Sequence, residues 1–326
     1  MTKEGIYIFL QNPVVLYSFM KLSIIIVSWN TRELTLKCLR SIFDYVREIN
    51  FNVFLVDNNS SDGTAAAVER LKKENNWSNL EIMANQENRG FAAANNQAIR
   101  QAEGEYILLL NPDTEFIKMT SSLDSVRDEL QSAIKFMKQN PQCGILGPKL
   151  LNTDGSLQKS CRRFPKLLDQ IFVQLKFYNL LPEKIRAVRE YFMLDFKHDE
   201  IRVVDQVMGA AMLIKKEVFD KIGLLDENFW AVFEEVDFCL RAKNAGFKTF
   251  FFPDWQIIHH KEQSFKKVAS LRKQMNFNKS LYHYFAKHKP FWQLFVLWLF
   301  QPLNLFLTWV DSVLKIRKIL GKRKDL

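Results

Sequence analysis

The sequence predicts an α/β fold built on a parallel sheet. Short apolar runs rich in Ile, Val and Leu alternate with helix-period segments four times before residue 120, and several of these runs stop abruptly at polar turns. Strands that alternate with helices at this spacing form βαβ units, which place their strands in parallel. The composition, 48% hydrophobic and 25% charged over 326 residues, suits one large domain with an appendage or two domains, and argues against disorder.

The elements follow in order. Residues 22–29 read LSIIIVSW, a near-continuous β-branched run of the kind a buried parallel strand carries. Asn30 and Thr31 open a helix whose apolar residues, Leu36, Leu39, Ile42 and Phe43 among them, recur at helical intervals. Residues 51–56 make a second strand, ending in the polar turn Asp57 to Thr64, and residues 65–73 the next helix. A third strand spans 80–84. Asn88, Arg89 and Gly90 then lead into an Ala/Asn-rich helix over 92–101. The fourth run, 106–110, is fully apolar and ends at Asn111, Pro112, Asp113 and Thr114, where Pro112 cannot continue a ladder. Asp113 is thereby delivered at the carboxyl end of a central strand, where open α/β sheets bind ligands. On this window alone it is open to two roles, a helix N-cap or a hard oxygen ligand for Mg²⁺ or Mn²⁺. A longer helix is expected within 121–141, strands at 144–151 and 209–215, and a helix over 217–222. Residues 229–238 read into a helix over 239–245, and a last strand spans 247–253. Residues 152–206 show no clear pattern.

Charge and hydropathy are distributed unevenly. From residue 261 onward fourteen Lys and Arg face three acids, so the net charge of +10 resides in the tail. Residues 291–310 carry no charge but hold three Trp and four Phe, bracketed by Lys287, Lys289, Lys315 and Arg317. Aromatics gathered in an uncharged block rather than interleaved with basic residues exclude nucleic acid as the partner. Gln301, Pro302 and Asn304 break the run, so it reads as a helix pair in a membrane interface, a span of about 20 residues, or a buried hairpin. Cys38, Cys143, Cys161 and Cys239 have neither CxxC nor zinc spacing and read as reduced, buried residues of a cytosolic protein. Residues 1–19 lack a signal-peptide cleavage site, and Met20 is the preferred start.

Right-handed crossovers put the turns at 28–30, 57–62 and 111–113 side by side, and a further acidic cluster, Glu234, Glu235 and Asp237, opens a helix. In this order, IIIVSWN, VDNNSSDGT, NRGFAAANN, LLLNPDT, GAAMLIKKEVF, FEEVDFCLRAKNAGF and IIHHKEQS resemble the family 2 glycosyltransferases, in particular their rhamnosyltransferase-like branch. The resemblance covers about three quarters of the chain, from 22 to 264.

It implies a GT-A fold, with a mixed, mostly parallel sheet flanked by helices. The expected organisation is an N-terminal extension (1–19), a catalytic domain (20–265) with a nucleotide-sugar half (20–120) and an acceptor half (121–265), and a membrane-associating tail (266–326). It implies Ser28, Asn30, Asp57, Arg89, Gly90, Asn111 and Asp113 as nucleotide-sugar contacts, with Asp57 accepting from the base; an Asx-turn is the competing role for Asp57. Asn111 stands where the strict family pattern has its first acid, which leaves Asp113 as principal ligand of Mg²⁺ or Mn²⁺, with His259 as a second ligand and His260 as its competitor. Glu235 is the expected catalytic base, followed by Asp237 and Glu234, for an inverting displacement. Arg241 has two expected partners, Asp237 or phosphate. The implied reaction moves a sugar, rhamnose from dTDP-rhamnose, to a lipid-linked saccharide at the cytoplasmic face of the membrane, in cell-surface polysaccharide synthesis. A processive synthase would carry a QxxRW segment, which the chain lacks. A catalytically inactive nucleotide-sugar-binding scaffold is the alternative outside enzymes.

Overall fold

The computed structural model describes residues 21–46, 49–117, 124–177, 183–260 and 270–314. The extension 1–19, Ser264 and the basic stretch from Lys315 to Lys324 lie outside them.

Strands β1 (Lys21–Ser28), β2 (Asn50–Asp57), β3 (Leu80–Ala84) and β4 (Tyr106–Leu110) run parallel in the order β3-β2-β1-β4. They are joined by α1 (Arg32–Tyr45), α2 (Thr64–Asn75) and α3 (Phe91–Ile99). Ile24, Ile25 and Ile26 have no exposed surface, because helices cover both faces of β1. One face contributes to a core with Leu39, Val68 and Leu108, the other to a core with Ala94, Ala98 and Leu109.

Past β4 the chain departs from the parallel expectation. Thr114 starts no helix. Residues Thr114–Phe116 form a short strand, β5, antiparallel to the far end of the sheet, and this overturns the helix N-cap reading of Asp113. The Thr114 hydroxyl donates to the Asn111 carbonyl at 2.7 Å and closes the tight turn that Pro112 begins. After α4 (Asp124–Gln139) comes β6 (Cys143–Leu151). The segment 152–206, patternless in sequence, forms β7 (Leu157–Gln158), β8 (Cys161–Arg162), α5 (Leu167–Gln174), α6 (Arg186–Tyr191), β9 (Arg202–Val204) and the start of β10 (Gln206–Val207). Strand β11 (Ala211–Lys215) inserts antiparallel between β4 and β6 and makes the sheet mixed.

Helix α7 (Lys216–Ile222) precedes α8 (Glu234–Asn244), which begins five residues before the expected start at 239, so all three acids lie in its first turn. Strand β12 (Lys248–His259) runs six residues past the expected end at Pro253; an irregularity between Phe252 and Gln256 lets the ladder resume beyond the proline. The ten-stranded sheet has the order β3-β2-β1-β4-β11-β6-β12-β5, with β7 beside β6 and β9 beside β12.

Two helices complete the described chain, α9 (Ser270–His288) and α10 (Phe291–Leu314). The expected break at Gln301, Pro302 and Asn304 does not occur, because α10 runs through Pro302. Its polar residues turn inward instead. Asn304 is fully buried, donates to the Gln174 carbonyl at 2.6 Å and accepts from Asn278 at 2.9 Å. Leu294 and Leu297 join Phe229, Phe233, Val236 and Leu281 in a third core. The opposite face carries an exposed stripe that includes Trp292, Phe295, Trp298, Leu299, Phe306 and Trp309.

The packing of β6 against β10 generates one prediction. A Cβ on Gly147 would lie 2.6 Å from the Val207 Cβ and within 2.9 Å of both its methyls, and the stiff valine has no room to withdraw. Gly147→Ala should cost about 1–3 kcal/mol in urea melts, and Val207→Ala in the same chain should restore part of it. An unchanged midpoint for the single variant would refute this packing.

Candidate active site

The parallel half delivers its polar turns to one edge. Ser28 pairs with Asp57 across β1 and β2, and Ile26 pairs with Leu110 across β1 and β4, so the three turns begin almost level. Asn111 extends this edge by donating its N–H to the Ala210 carbonyl.

The first two turns are tied together. Ser28 is fully buried, and its hydroxyl lies 3.0 Å from Thr31 and 2.9 Å from Thr35. Its side chain stabilises the start of α1 rather than facing the crevice. Asn30 has a positive φ of 54°; its N–H donates to the Ser60 hydroxyl and its side-chain oxygen accepts from the Ser61 N–H at 2.7 Å. Asp57 splits its two oxygens. Oδ2 accepts from the Ser60 N–H at 3.2 Å, three residues on rather than the two of an Asx-turn, while the buried Oδ1 has no partner among the described residues. That oxygen has the capacity to accept a ligand N–H or hydroxyl.

Asn58 connects this turn to the next loop. It donates to the Asn88 side chain and the Gly90 carbonyl and accepts from Asn85 and the Arg89 N–H. The Arg89 side chain itself is exposed. Gly90, at φ 82°, is required both by that conformation and by Trp230: a Cβ there would lie 2.9 Å from the indole and from the Trp230 carbonyl.

Asp113 and His259 meet because β5 pairs with β12, with Thr114 opposite His259. Both side chains are buried, and His259 Nε2 lies 3.3 Å from Asp113 Oδ1. Gln158 fixes the ring: its amide nitrogen donates to Asn152, so its oxygen receives the His259 Nδ1–H at 2.6 Å. Nε2 then presents a lone pair toward the Asp113 carboxylate. Two lone-pair donors facing each other call for a proton or a cation between them. Their separation is close to the ~3 Å between adjacent ligands of an octahedral ion with ~2.1 Å bonds. His260, on the opposite side of the strand, bonds Glu115 at 3.0 Å and Thr153 at 3.2 Å, which removes it as the competitor. Among the described residues no group of three or more His, Cys, Asp or Glu is placed to hold a metal. A two-ligand site of this kind suits an ion whose remaining positions belong to phosphate oxygens and water. The Asn111 side chain is half-buried at the mouth of the same turn.

The acids of α8 divide into two electrostatic types. Asp237 is fully buried and receives Arg241 Nε at 2.7 Å, His288 Nε2 at 2.7 Å and Lys287 Nζ at 2.8 Å. Burial acts to raise its pKa, but the hydrogen bonds from His288 and Lys287 and the charge of Arg241 outweigh this and hold it below the ordinary carboxylate range. It is an ion-pair hub rather than a free base. Arg241 spends its other nitrogens on the Ile222 and Leu224 carbonyls, so of its two expected partners it takes Asp237 and not phosphate.

Glu234 and Glu235 are the reverse case, since each has a buried Oε2 without a partner. Burial raises the pKa of both, and the charge of Glu235 adds to the rise at Glu234. Glu235 keeps part of its surface open and lies over Gly209, whose added Cβ would be 3.6 Å from the Glu235 Cβ. Gly209 precedes Ala210, the partner of Asn111, so the Glu235 side chain reaches the same edge as Asp113.

Sequence reasoning missed Gln158, the Lys287 and His288 partners of Asp237, and Trp230. Their partners lie between 50 and 140 residues away in the chain, and no local spacing marks them. All four cysteines are free and buried, as expected, and burial pushes Cys38, Cys143, Cys161 and Cys239 up to about 12.

A mixed sheet with this strand order, and acids converging on the carboxyl ends of its parallel half, is the arrangement of a GT-A fold. Residues 23–149 match the model of Glycosyl transferase family 2. It is similar to N-acetylglucosaminyl-diphospho-decaprenol L-rhamnosyltransferase of Mycobacterium tuberculosis, with 27% identity over 262 residues, 76% of this chain and 78% of the relative. Rhamnosyltransferase WbbL of Escherichia coli is 26% identical over 208 residues, 61% of this chain and 71% of its own length. In fold the chain resembles the mannosyltransferase PcManGT of Pyrobaculum calidifontis, solved with GDP-Man and Mn²⁺, at TM-score 0.54 and 20% identity over 92% of this chain and 76% of that one.

The divided acids generate a stability prediction. A carboxyl with a raised folded-state pKa binds its proton more tightly when folded, so its contribution to stability is lost as pH rises from about 4.5 through the folded pKa. Glu234→Gln should therefore raise Tm at pH 8, with the gap closing toward pH 4. Asp237→Asn should lower stability by about 3–5 kcal/mol, as it leaves Arg241 and His288 without their carboxylate. Melting curves across pH check both, and a gap for Glu234→Gln that does not vary with pH would contradict the burial argument.

Proposed function

We propose that this protein is an inverting, metal-assisted glycosyltransferase that moves a sugar, rhamnose from dTDP-rhamnose, onto a lipid-linked saccharide at the cytoplasmic face of the membrane. The observation that carries the reading is Glu235, a carboxylate with an unpartnered oxygen and a raised pKa on the same crevice edge as Asp113.

In this reading Asp57 Oδ1 accepts from the nucleotide and Asn111 orients the ribose. Asp113 and His259 hold the divalent ion, and Gln158 keeps the His259 lone pair aimed at it. The nitrogen ligand favours Mn²⁺ over Mg²⁺, which prefers an all-oxygen shell. When bound, the ion neutralises charge on the departing diphosphate. Glu235 takes the proton of the acceptor hydroxyl as its oxygen bonds to the anomeric carbon, and the electron pair of the breaking C–O bond leaves with the nucleoside diphosphate. Displacement from the opposite side inverts the anomeric centre. A carboxylate whose pKa is raised by burial is a stronger base than an exposed one. The donor and acceptor chemistry follows the rhamnosyltransferase relatives, one of which is named for a diphospho-decaprenol acceptor.

The membrane placement draws on α10. The stretch Phe291–Val313 has the length and apolarity of a span, with 22% of its apolar window buried. Its inner face is fixed to the body by Leu294, Leu297, Asn304 and Thr308 along four turns, which supports a helix lying in the interface with its Trp stripe toward lipid.

Glu235→Gln should lower kcat by about 10²–10⁴-fold while a nucleoside diphosphate still binds. In the wild type kcat/KM should rise with pH through a value above the ordinary carboxylate range. Asp113→Ala should abolish the Mn²⁺ dependence of dTDP binding. A screen of dTDP-, UDP- and GDP-sugars with Mn²⁺ tests the donor, and an intact rate for Glu235→Gln would end this assignment. Replacing Trp298 and Phe306 together by Ser should release the protein from anionic vesicles at unchanged Tm; retained binding would reject the interfacial placement.

A further inference from the structure

The segment 157–162, without a pattern in sequence, crosses the crevice from the Asp113 and His259 pair to Glu235. At one end Gln158 holds His259. At the other Arg162 pairs with Gln206 of β10, whose chain continues through Val207 to Gly209 beneath Glu235. The two strands at its ends, β7 and β8, carry Gln158 and Arg162. Between them Lys159 reaches the Leu194 carbonyl, and Cys161 belongs to the core that holds Met193 and Phe196.

Two groups of this segment have unused hydrogen-bonding capacity. Ser160 is 4% exposed, and its hydroxyl, beside the Cys161 thiol but short of hydrogen-bond geometry with it, has no partner among the described residues. Arg162 is half-buried, with its guanidinium 5.3 Å from the centre of the Phe192 ring. Its neighbours in kind are all engaged: Arg163 and Lys243 face Asp205, and Arg189 is bidentate to Asp195. Arg162 has no such carboxylate within 4 Å among the described residues, although its positive charge reaches Glu235 and Tyr191. A planar guanidinium pre-set over a ring, with its donors unspent at an active-site wall, matches the bidentate geometry of phosphate oxygens.

We propose that Arg162, assisted by the Ser160 hydroxyl, binds a diphosphate group of a substrate on the Glu235 side of the crevice. This rests on the glycosyl-transfer reading above. Two substrates of such a reaction carry a diphosphate, the sugar donor and a diphospholipid-linked acceptor, and the position beside Glu235 favours the acceptor.

The test is equilibrium binding to the full chain with Mn²⁺, using dTDP for the donor and a short-chain N-acetylglucosaminyl-diphospho-lipid for the acceptor. The corresponding phosphate-free glycoside serves as control. Arg162→Ala should weaken one diphosphate probe by about 10–100-fold, with Ser160→Ala weakening the same probe less and the phosphate-free glycoside unaffected. Arg162→Lys, which keeps charge but not the fork, should fall between. A loss confined to the lipid assigns the acceptor, and a loss confined to dTDP assigns the donor. Binding of both probes within twofold of wild type by Arg162→Ala of unchanged Tm overturns the proposal while leaving the glycosyl-transfer reading intact. A wild type that binds neither probe overturns that reading, and this inference with it.

Discussion

One fully buried carboxylate organises the C-terminal part of the described chain. Asp237 has no exposed surface and is bonded by Arg241 from its own helix and by Lys287 and His288 from α9. Arg241 in turn binds the carbonyls of Ile222 and Leu224, and Lys287 also reaches Asp226 at 2.7 Å. An isolated charge at this depth would be prohibitively costly, so α8, the 222–226 loop and α9 have one mutual arrangement in which all these groups are satisfied. That arrangement aims the first turn of α8 at the sheet edge and gives α10 its base.

The same turn holds charges in opposite conditions. Asp237 is surrounded by donors and stays ionised, whereas Glu234 and Glu235, three and two residues before it, are buried with oxygens that have no partner among the described residues and with raised pKa values. The chain enters this turn through Val232 and Phe233, both at positive φ, 63° and 74°. For a β-branched and an aromatic residue this costs about 1–3 kcal/mol each. Burial of Phe233 among Phe277, Tyr284 and Val236 offsets the strain. Local unfavourable energy is thus concentrated at the acids that face the crevice, and the surrounding core holds them there.

Helix α10 inverts the usual amphipathic rule. A surface helix normally turns apolar residues inward, yet here Asn304 and Thr308 are buried and Trp298 and Phe306 are exposed. Asn304 bonds both α9 and α5, so the helix is positioned by specific hydrogen bonds rather than by apolar burial alone. This leaves its aromatic side available for another apolar phase, on the same body as α8.

The parallel half was legible in the sequence because each of its elements is decided locally. The Ile-rich β1, the apolar run of β4 halted at Pro112 and the acid-bearing turn at Asp57 declare their structure through periodicity and turn chemistry, and seven short motifs in order carried the family resemblance. The sequence also placed Asp113 and Glu235 in the crevice, since strand ends and helix starts follow from the same patterns. Contacts between distant segments decided the rest. Thr114 became a strand because β12 was there to pair with it, His259 was separated from His260 by that register, and Asp237 moved from candidate base to ion-pair hub once α9 supplied its cations. A side chain's role as ligand, base or support depends on which groups share its buried volume, and that is fixed by the packing of segments as much as 145 residues apart rather than by neighbours in the chain.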